Sequence, residues 1–311
     1  MKMKMQVKRK YKKSVVTQCY LALAPQIIGF FVFSIYPIYW VFKYSCTNYD
    51  GINWDFVGLE NYIRIFTQDQ TFWFTVGNTL ILTAMKLLME IPLAFLLAML
   101  LCSKSLRFKR VFNTMLFLPA VVGITSAGML FNYIFRTFNG LINNVLIDLH
   151  IFSQPYNWLG ERWSALFVIA LMSTWLSFPI NMMYFSGAIA GVPKDIYESA
   201  TIEGCGPIRK IFSLTLPMIA PTLKVVLMLA LAGAMKIQGE VMVLTDGGPQ
   251  GKTNVAMYYI YNLFFGIASE GPDDSIGRKG YAAACAVVVT VINGIITGLF
   301  IKISKKMDDL Y

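Results

Sequence analysis

The chain has 311 residues, of which 56% are hydrophobic and only 14% charged, with a mean hydropathy of +0.57 and a formal net charge of +10. A soluble domain carries about 25% charged residues, so the composition excludes one and indicates an integral membrane protein. The positive balance is read below as a topology and lipid-headgroup signal, and no nucleic-acid site is taken from it.

Taken in chain order, residues 1–16 form a basic segment containing Lys2, Lys4, Lys8, Arg9, Lys10, Lys12 and Lys13. The apolar run that follows, near Thr17–Phe42, is too long for the roughly 7–15-residue core of a signal peptide. It leaves through bulky Tyr39-Trp-Val-Phe42 without a small-residue cleavage site, so it is expected to stay as a spanning helix. Five further windows reach the ~20 residues a helix needs to cross hydrocarbon. They lie near Phe74–Leu101, Phe112–Phe135, Ser164–Ile189, Met218–Leu244 and Tyr281–Ile303. Backbone groups in lipid must be satisfied within the segment, and these runs are too long for barrel strands, so six transmembrane helices are expected. Residues 17–303 then form one membrane domain, and 304–311 a short tail.

Charge sets the expected orientation. With the N-terminus inside, seventeen Lys and Arg fall on the cytoplasmic side and seven outside: Lys43, Arg64, Arg136, Arg162, Lys252, Arg278 and Lys279. The inside set adds Lys104, Arg107, Lys109, Arg110, Lys194, Arg209, Lys210, Lys302, Lys305 and Lys306 to the seven at the start. That asymmetry predicts cytoplasmic N- and C-termini.

Between the spans, Phe56-Val-Gly-Leu-Glu-Asn-Tyr-Ile-Arg-Ile-Phe66 reads as an amphipathic stretch suited to a membrane interface. In the second outer loop Leu141, Val145, Leu146 and Leu149 recur at helical spacing, and Trp158 and Trp163 read as an aromatic belt. Neither loop is long enough for a catalytic domain; both read as docking surfaces. Asp246-Gly-Gly-Pro-Gln-Gly-Lys-Thr253 resembles the end of a phosphate-binding loop, but Asp246 stands where Gly is required and no strand precedes it. It reads better as Gly247-Gly248-Pro249 stopping the fifth helix.

Catalytic chemistry finds little to work with. Cys19, Cys46, Cys102, Cys205 and Cys285 contain no CxxC pair and read as small apolar fillers; with His150 as the one histidine, neither a zinc cluster nor a Ser-His-Asp triad can be assembled. The costly residues are the ionisable ones inside spans. Lys86 and Glu90, four apart, share a helix face and can pair, just before a kink at Pro92. Lys236, Gln238 and Glu240 surround Gly239 in the fifth span and read as a polar lining for a hydrophilic solute, or as interhelical pairing. Lys224 reads as snorkelling, and Gly294-Ile-Ile-Thr-Gly298 as a close helix contact. A secondary transporter using Lys86, Glu90, Lys236 and Glu240 as relays is the alternative, though no internal inverted repeat is visible.

The loop at 190–217 is the polar exception between two spans. Pro193-Lys-Asp-Ile-Tyr-Glu-Ser-Ala-Thr-Ile-Glu predicts a short helix with Pro and Asp in its first turn. Gly204 and Gly206-Pro207 break it, a second helical turn follows, and Pro217 opens the fifth span. Ser199 and Ala200 are expected together on the face that meets a partner, with Glu198, Glu203 and Arg209 fixing register.

The spacing Glu198-Ser-Ala-x-x-x-Gly204, nine residues, then Leu214-x-Leu-Pro217 resembles the EAA loop of ATP-binding-cassette (ABC) importer permeases. Ser199, Glu203 and Leu214 depart from that pattern conservatively. Phe56-Val-Gly-Leu-Glu-Asn-Tyr62, Asn78-Thr79 and Leu244-Thr-Asp-Gly-Gly-Pro249 with Thr253 are similar to segments of its carbohydrate branch, the maltose- and glycerol-phosphate-type permeases. The resemblance implies an all-α type I permease fold with a cytoplasmic coupling helix, in a bacterial cytoplasmic membrane. It implies a second permease, two cytoplasmic ATPase subunits that bind ATP and Mg, an extracytoplasmic solute-binding protein and a carbohydrate substrate. The chain itself would hold no cofactor and catalyse nothing. Glu198, Ser199, Ala200, Glu203, Gly204 and Arg209 are the implied coupling residues, and Lys236, Gln238 and Glu240 the expected pathway residues.

Overall fold

The computed structural model describes residues 13–103, 106–266 and 278–308. The basic residues Lys2 to Lys12 and Lys104 lie outside them, as do the side chains of Lys13, Arg278, Lys305 and Lys306. The regular secondary structure among the described residues is helical, apart from an isolated antiparallel bridge between Thr47 and Phe56.

Helix α1 (Lys13–Phe30) continues through a π-helical turn at Phe31–Ile35 into α2 (Tyr36–Ser45), giving the first span. After α3 (Glu60–Thr67) comes α4 (Gln70–Cys102), the second span. The third is α5 (Lys109–Phe117), a 3₁₀ turn at Leu118–Val121 and α6 (Ile124–Phe135). A short α7 (Leu141–Asp148) precedes the fourth span, α8 (Arg162–Ala190), and α9 (Lys194–Ile202) follows it. The fifth is assembled from α10 (Pro207–Lys210), a π-helical turn, α11 (Leu216–Met218), α12 (Ala220–Ala234) and α13 (Gly239–Leu244). Finally α14 (Ala256–Phe265) leads to the sixth span, α15 (Arg278–Asp308).

Two of the six expected spans are not continuous helices. The third bends by 99° between α5 and α6, where Pro119 supplies no N–H and the chain passes through an extended Gly123. The fifth bends by 77° at Ile219, so Pro217 lies before the bend and Pro221 enters the first turn of α12 instead. It breaks again at Met235–Gln238, where the Lys236 and Ile237 amides reach back only three residues, to Gly233 and Ala234. Helix α14 lies between the fifth and sixth expected spans; at ten residues it is too short to read as a span.

The spine of the bundle is α4 against α8, the most extensive helix pair. Along α8, Leu166, Ile169, Met172, Met182 and Phe185 are completely buried. Lipid tails are as apolar as these side chains, so close packing holds them together, not exclusion from water. One apolar cluster surrounds Leu82, Phe131, Met172 and Val241; a second joins Ile65, Phe72, Tyr259 and Val288; a third holds Ala94, Ala98, Phe185 and Ile219. The first span, by contrast, keeps its apolar residues on the outside, as a lipid-facing helix would. Cys19 sits there, exposed, whereas Cys285 is the buried filler expected of its type.

Two sequence expectations about packing are corrected. Trp158 is not a lipid belt residue: its indole N–H donates to Asn143 Oδ1 and its ring packs edge-on to Phe135, inside the second loop. Trp163 does face outward. Gly294 and Gly298 make no close contact within the chain; an added Cβ at either meets nothing within 4 Å. The required glycine of α15 is Gly280, whose amide donates to Tyr49 O at 3.0 Å. A Cβ there would lie 2.1 Å from Thr47 O and 2.8 Å from Tyr49 N, both backbone atoms that cannot swing aside. Gly280→Ala is therefore expected to destabilise the detergent-solubilised chain by about 1–3 kcal/mol, the range for overpacking. Gly294→Ala, in open space, should leave the melting temperature unchanged or raised, and thermal unfolding of the two variants checks both statements.

Candidate functional site

The polar elbow between α8 and α12 is built from local rules. Gly191 donates its N–H to Gly187 O and Ala188 O, and the Val192 N–H reaches Ile189 O, so α8 turns into α9 without a slack linker. Pro193 precedes α9 and Asp195 sits in its first turn. Gly204 ends it with φ of +74°, a left-handed conformation that glycine takes at no steric cost, while the Cys205 N–H returns to Ala200 O at 2.8 Å.

Two braces hold the elbow shut. The Tyr197 and Thr215 hydroxyls lie 3.0 Å apart, and Lys210 Nζ donates to Thr201 Oγ1 at 2.6 Å. Of the six expected coupling residues, Glu198, Ser199, Glu203, Gly204 and Arg209 are exposed. Ala200 is not: it is 7% exposed and faces the protein, so it does not share an outward face with Ser199. Adjacent residues sit about 100° apart around a helix, and Ala200 is the small side chain that lets α9 lie close to the bundle. Between α9, α4 and α5 a cavity of about 660 Å³ opens, lined by Met99, Cys102, Lys109, Val192, Tyr197 and Glu198 among others.

The ionisable residues of the spans fall into two places, not one. Lys86 Nζ lies 3.7 Å from Glu90 Oε2, both buried, and Asn181 of α8 donates to Glu90 Oε1 at 2.5 Å. About eight residues earlier on α8, Ser173 Oγ donates to Glu240 Oε1 at 2.9 Å. Lys236 is exposed at the break between α12 and α13. Gln238 turns elsewhere, into an apolar cleft of about 260 Å³ with Val41, Tyr261 and Phe264. Lys236, Gln238 and Glu240 thus do not converge. Sequence reasoning missed Ser173 and Asn181, although Ser173, Ser177 and Asn181 recur every four residues, the helix period in an apolar span.

The remaining motif segments act as staples. Gly58, at φ +60°, turns the chain so that Asn61 Nδ2 reaches Ser45 O and Thr47 O, both at 3.0 Å, and Tyr62 donates to Ser45 Oγ at 2.7 Å. Asp69 caps α4 through the Phe72 N–H and accepts from the Tyr259 and Tyr281 hydroxyls. Asn78, fully buried, donates to Lys252 O and Asn254 O and accepts two bonds from Arg162. Thr79 accepts from the Ala256 N–H, and Thr253 Oγ1 donates to Gly248 O at 2.6 Å. The Tyr258 hydroxyl donates to Asp246, and burial followed by that carboxylate pushes its phenol up to about 12. Raised above its ordinary value near 10, the phenol contributes stability that is complete below pH ~10 and disappears as pH climbs through about 12.

Comparison with known proteins places this arrangement. Residues 77–309 match the family model described as the binding-protein-dependent transport system inner membrane component. The chain is 31% identical over 287 residues to the arabinooligosaccharides transport system permease protein AraP of Bacillus subtilis, covering 92% of this chain and 88% of that protein. It is 32% identical over 248 residues to the lactose transport system permease protein LacF of Rhizobium radiobacter, covering 79% and 83%. The sn-glycerol-3-phosphate transport system permease protein UgpA of Shigella flexneri is 31% identical over 252 residues. A solved bacterial ABC transporter involved in alginate import shares the fold, with a TM-score of 0.78 at 22% identity over 93% of this chain and 95% of that one.

Asn78→Ala would orphan two loop carbonyls and the Arg162 guanidinium at once. With about 1–3 kcal/mol for each buried group left unsatisfied, the 244–256 segment is expected to become protease-sensitive while α9 stays protected, as limited proteolysis with fragment mapping would reveal.

Proposed function

The chain belongs to the family of binding-protein-dependent transport system inner membrane components, and from that premise we propose that it is one of two permeases lining the path of a sugar or sugar-like solute through an ABC importer. A solute-binding protein on the extracytoplasmic side delivers the solute. Two ATPase subunits on the cytoplasmic side, which bind ATP and Mg, supply the energy. The carbohydrate class rests on the names of the relatives, which carry arabino-oligosaccharides, lactose or glycerol phosphate. Both chain termini are cytoplasmic in this reading, from the charge asymmetry.

The observation that carries the mechanism is the exposed, braced α9. Helix α9 is the coupling helix: Glu198, Ser199, Glu203 and Arg209 meet the ATPase surface, Ala200 lets the helix lie flat, and Gly204 makes the turn. Closure of the ATPase dimer around ATP pushes α9, and the braces from Tyr197 to Thr215 and from Thr201 to Lys210 pass the push to the fifth span as well as to α8. The solute passes the discontinuity between α12 and α13, where Lys236 and Glu240 are its polar neighbours. Gln238, turned toward α14 and α15, acts one step away from it. No bond in the solute is made or broken by this chain.

Three outcomes test the proposal. Proteoliposomes holding the tagged complex should take up radiolabelled solute only with ATP and binding protein present; uptake by this chain alone would contradict it. Gly204→Val, forced into a left-handed backbone, should cut coupled transport more than tenfold without loss of membrane insertion. Glu240→Ala and Gln238→Ala should alter transport affinity, rate or coupled ATP hydrolysis, and unchanged values in both would remove the pathway assignment.

A further inference from the structure

The hydrogen bond from Ser173 to Glu240 closes a loop of the chain, and that loop contains α9. Starting at Ser173, the backbone runs down α8, turns through Gly191–Pro193 into α9, and returns by α10, α11 and α12 to Glu240 in α13. The side-chain bond joins positions 67 residues apart at 2.9 Å. The far end of the loop is braced by Tyr197 on Thr215 and Lys210 on Thr201. The near end has no comparable polar contact between α8 and α13 among those described; the rest of that contact is apolar, with Val241 and Leu244 against Leu166, Ile169 and Met172.

Ser173 is 1% exposed, and its neighbour one turn on, Ser177, spends its own hydroxyl on Ser173 O at 2.8 Å. The Ser173 hydroxyl, by contrast, is directed away from its own helix, to Glu240 of α13. Hydrogen bonds to carboxylates are roughly twice as strong as neutral pairs, and the buried Ser173 hydroxyl has no water to fall back on. Helix α13 is six residues long, begins at a break in the span and packs chiefly on α6, so among the described contacts its polar tie to α8 is the bond from Ser173 to Glu240.

We propose that Ser173 is a positioning residue which latches α13 to α8 through Glu240, and that this latch holds the coupling helix in its resting position. The latch rests on the reading of α9 as the joint with the ATPase. While it is closed, α8 and the fifth span move as one frame, and α9 cannot be displaced without straining the bond. A solute hydroxyl arriving beside Glu240 competes for the carboxylate, loosens the frame and lets α9 follow the ATPase. Solute occupancy and ATP hydrolysis are then coupled by differential stability of two arrangements of one element.

The test uses the complex purified through a tag on this chain and returned to nanodiscs, with ATP as the probe and no solute or binding protein added. Ser173→Ala should raise this solute-independent hydrolysis about three- to tenfold, and Ser173→Thr, which keeps the hydroxyl, should return it to within twofold of wild type. The double variant Ser173→Ala/Glu240→Ala should be no faster than the faster single one, because both remove the same bond. Thermal unfolding of each complex separates loss of packing from loss of the latch. An unchanged or lowered rate in Ser173→Ala, equal effects of Ala and Thr, or multiplying effects in the double variant would each overturn the latch while leaving the importer reading intact. A wild-type complex that hydrolyses no ATP would instead overturn the importer reading, and the latch with it.

Discussion

A backbone inside hydrocarbon must satisfy its own N–H and C=O groups or find side chains that do, and the architecture of this chain follows from where it can afford not to be a helix. Spans one, two, four and six are unbroken or nearly so and meet the condition internally. The third and fifth spans break, and each break lies against α8. Helix α8 can serve both because it is the most buried of the spans and offers small and polar side chains on one face. Its Asn181 answers Glu90 of α4, and its Ser173 answers Glu240 of α13. Polar side chains of α8 thus meet a carboxyl group on each of two neighbouring helices, alongside the apolar packing.

The motif segments outside the elbow have a different job from the one their chemistry suggests. Asn61, Asp69, Asn78, Asn143 and Thr253 are buried polar side chains whose partners are mostly backbone carbonyls and amides of the loops, some nearby in sequence and, for Asn78, far along the chain. Each side-chain amide offers two donors and an acceptor, so one Asn can tie three strands of irregular chain together. That is how short connections stay ordered where no sheet or disulfide supports them. These residues build the frame and leave free on it the exposed face of α9 and the gap between α12 and α13.

The fold class was legible because its signal is long and redundant: apolar windows, basic loops on one side and a glycine spacing after Glu198 all speak of the same topology. The elbow was legible for the same reason, since Pro193, Asp195 and Gly204 each dictate a local conformation that tertiary packing did not override. What sequence could not convey was which face each side chain takes. Ala200 and Ser199 are neighbours in sequence but one is buried and the other exposed, and Trp158 finds an amide partner in Asn143 that lies fifteen residues away. The discontinuities were missed because hydropathy is blind to them: Pro119 and Gly123, for example, interrupt the third span without lowering the apolar average of the window. The separation of Gln238 from Glu240 follows from the break at Met235–Gln238: Gln238 is the non-helical residue before α13, and Glu240 lies in its first turn.

The central claim is that α9 is the joint through which hydrolysis in a neighbouring subunit moves this bundle. Replacing Ser199 with the photocrosslinking residue p-benzoylphenylalanine in the intact membrane puts a reporter on the exposed face of that helix. The account predicts an adduct with the ATPase subunit whose yield changes between nucleotide-free and vanadate-trapped complexes. An adduct with the solute-binding protein, or an ATPase adduct indifferent to nucleotide, would contradict it.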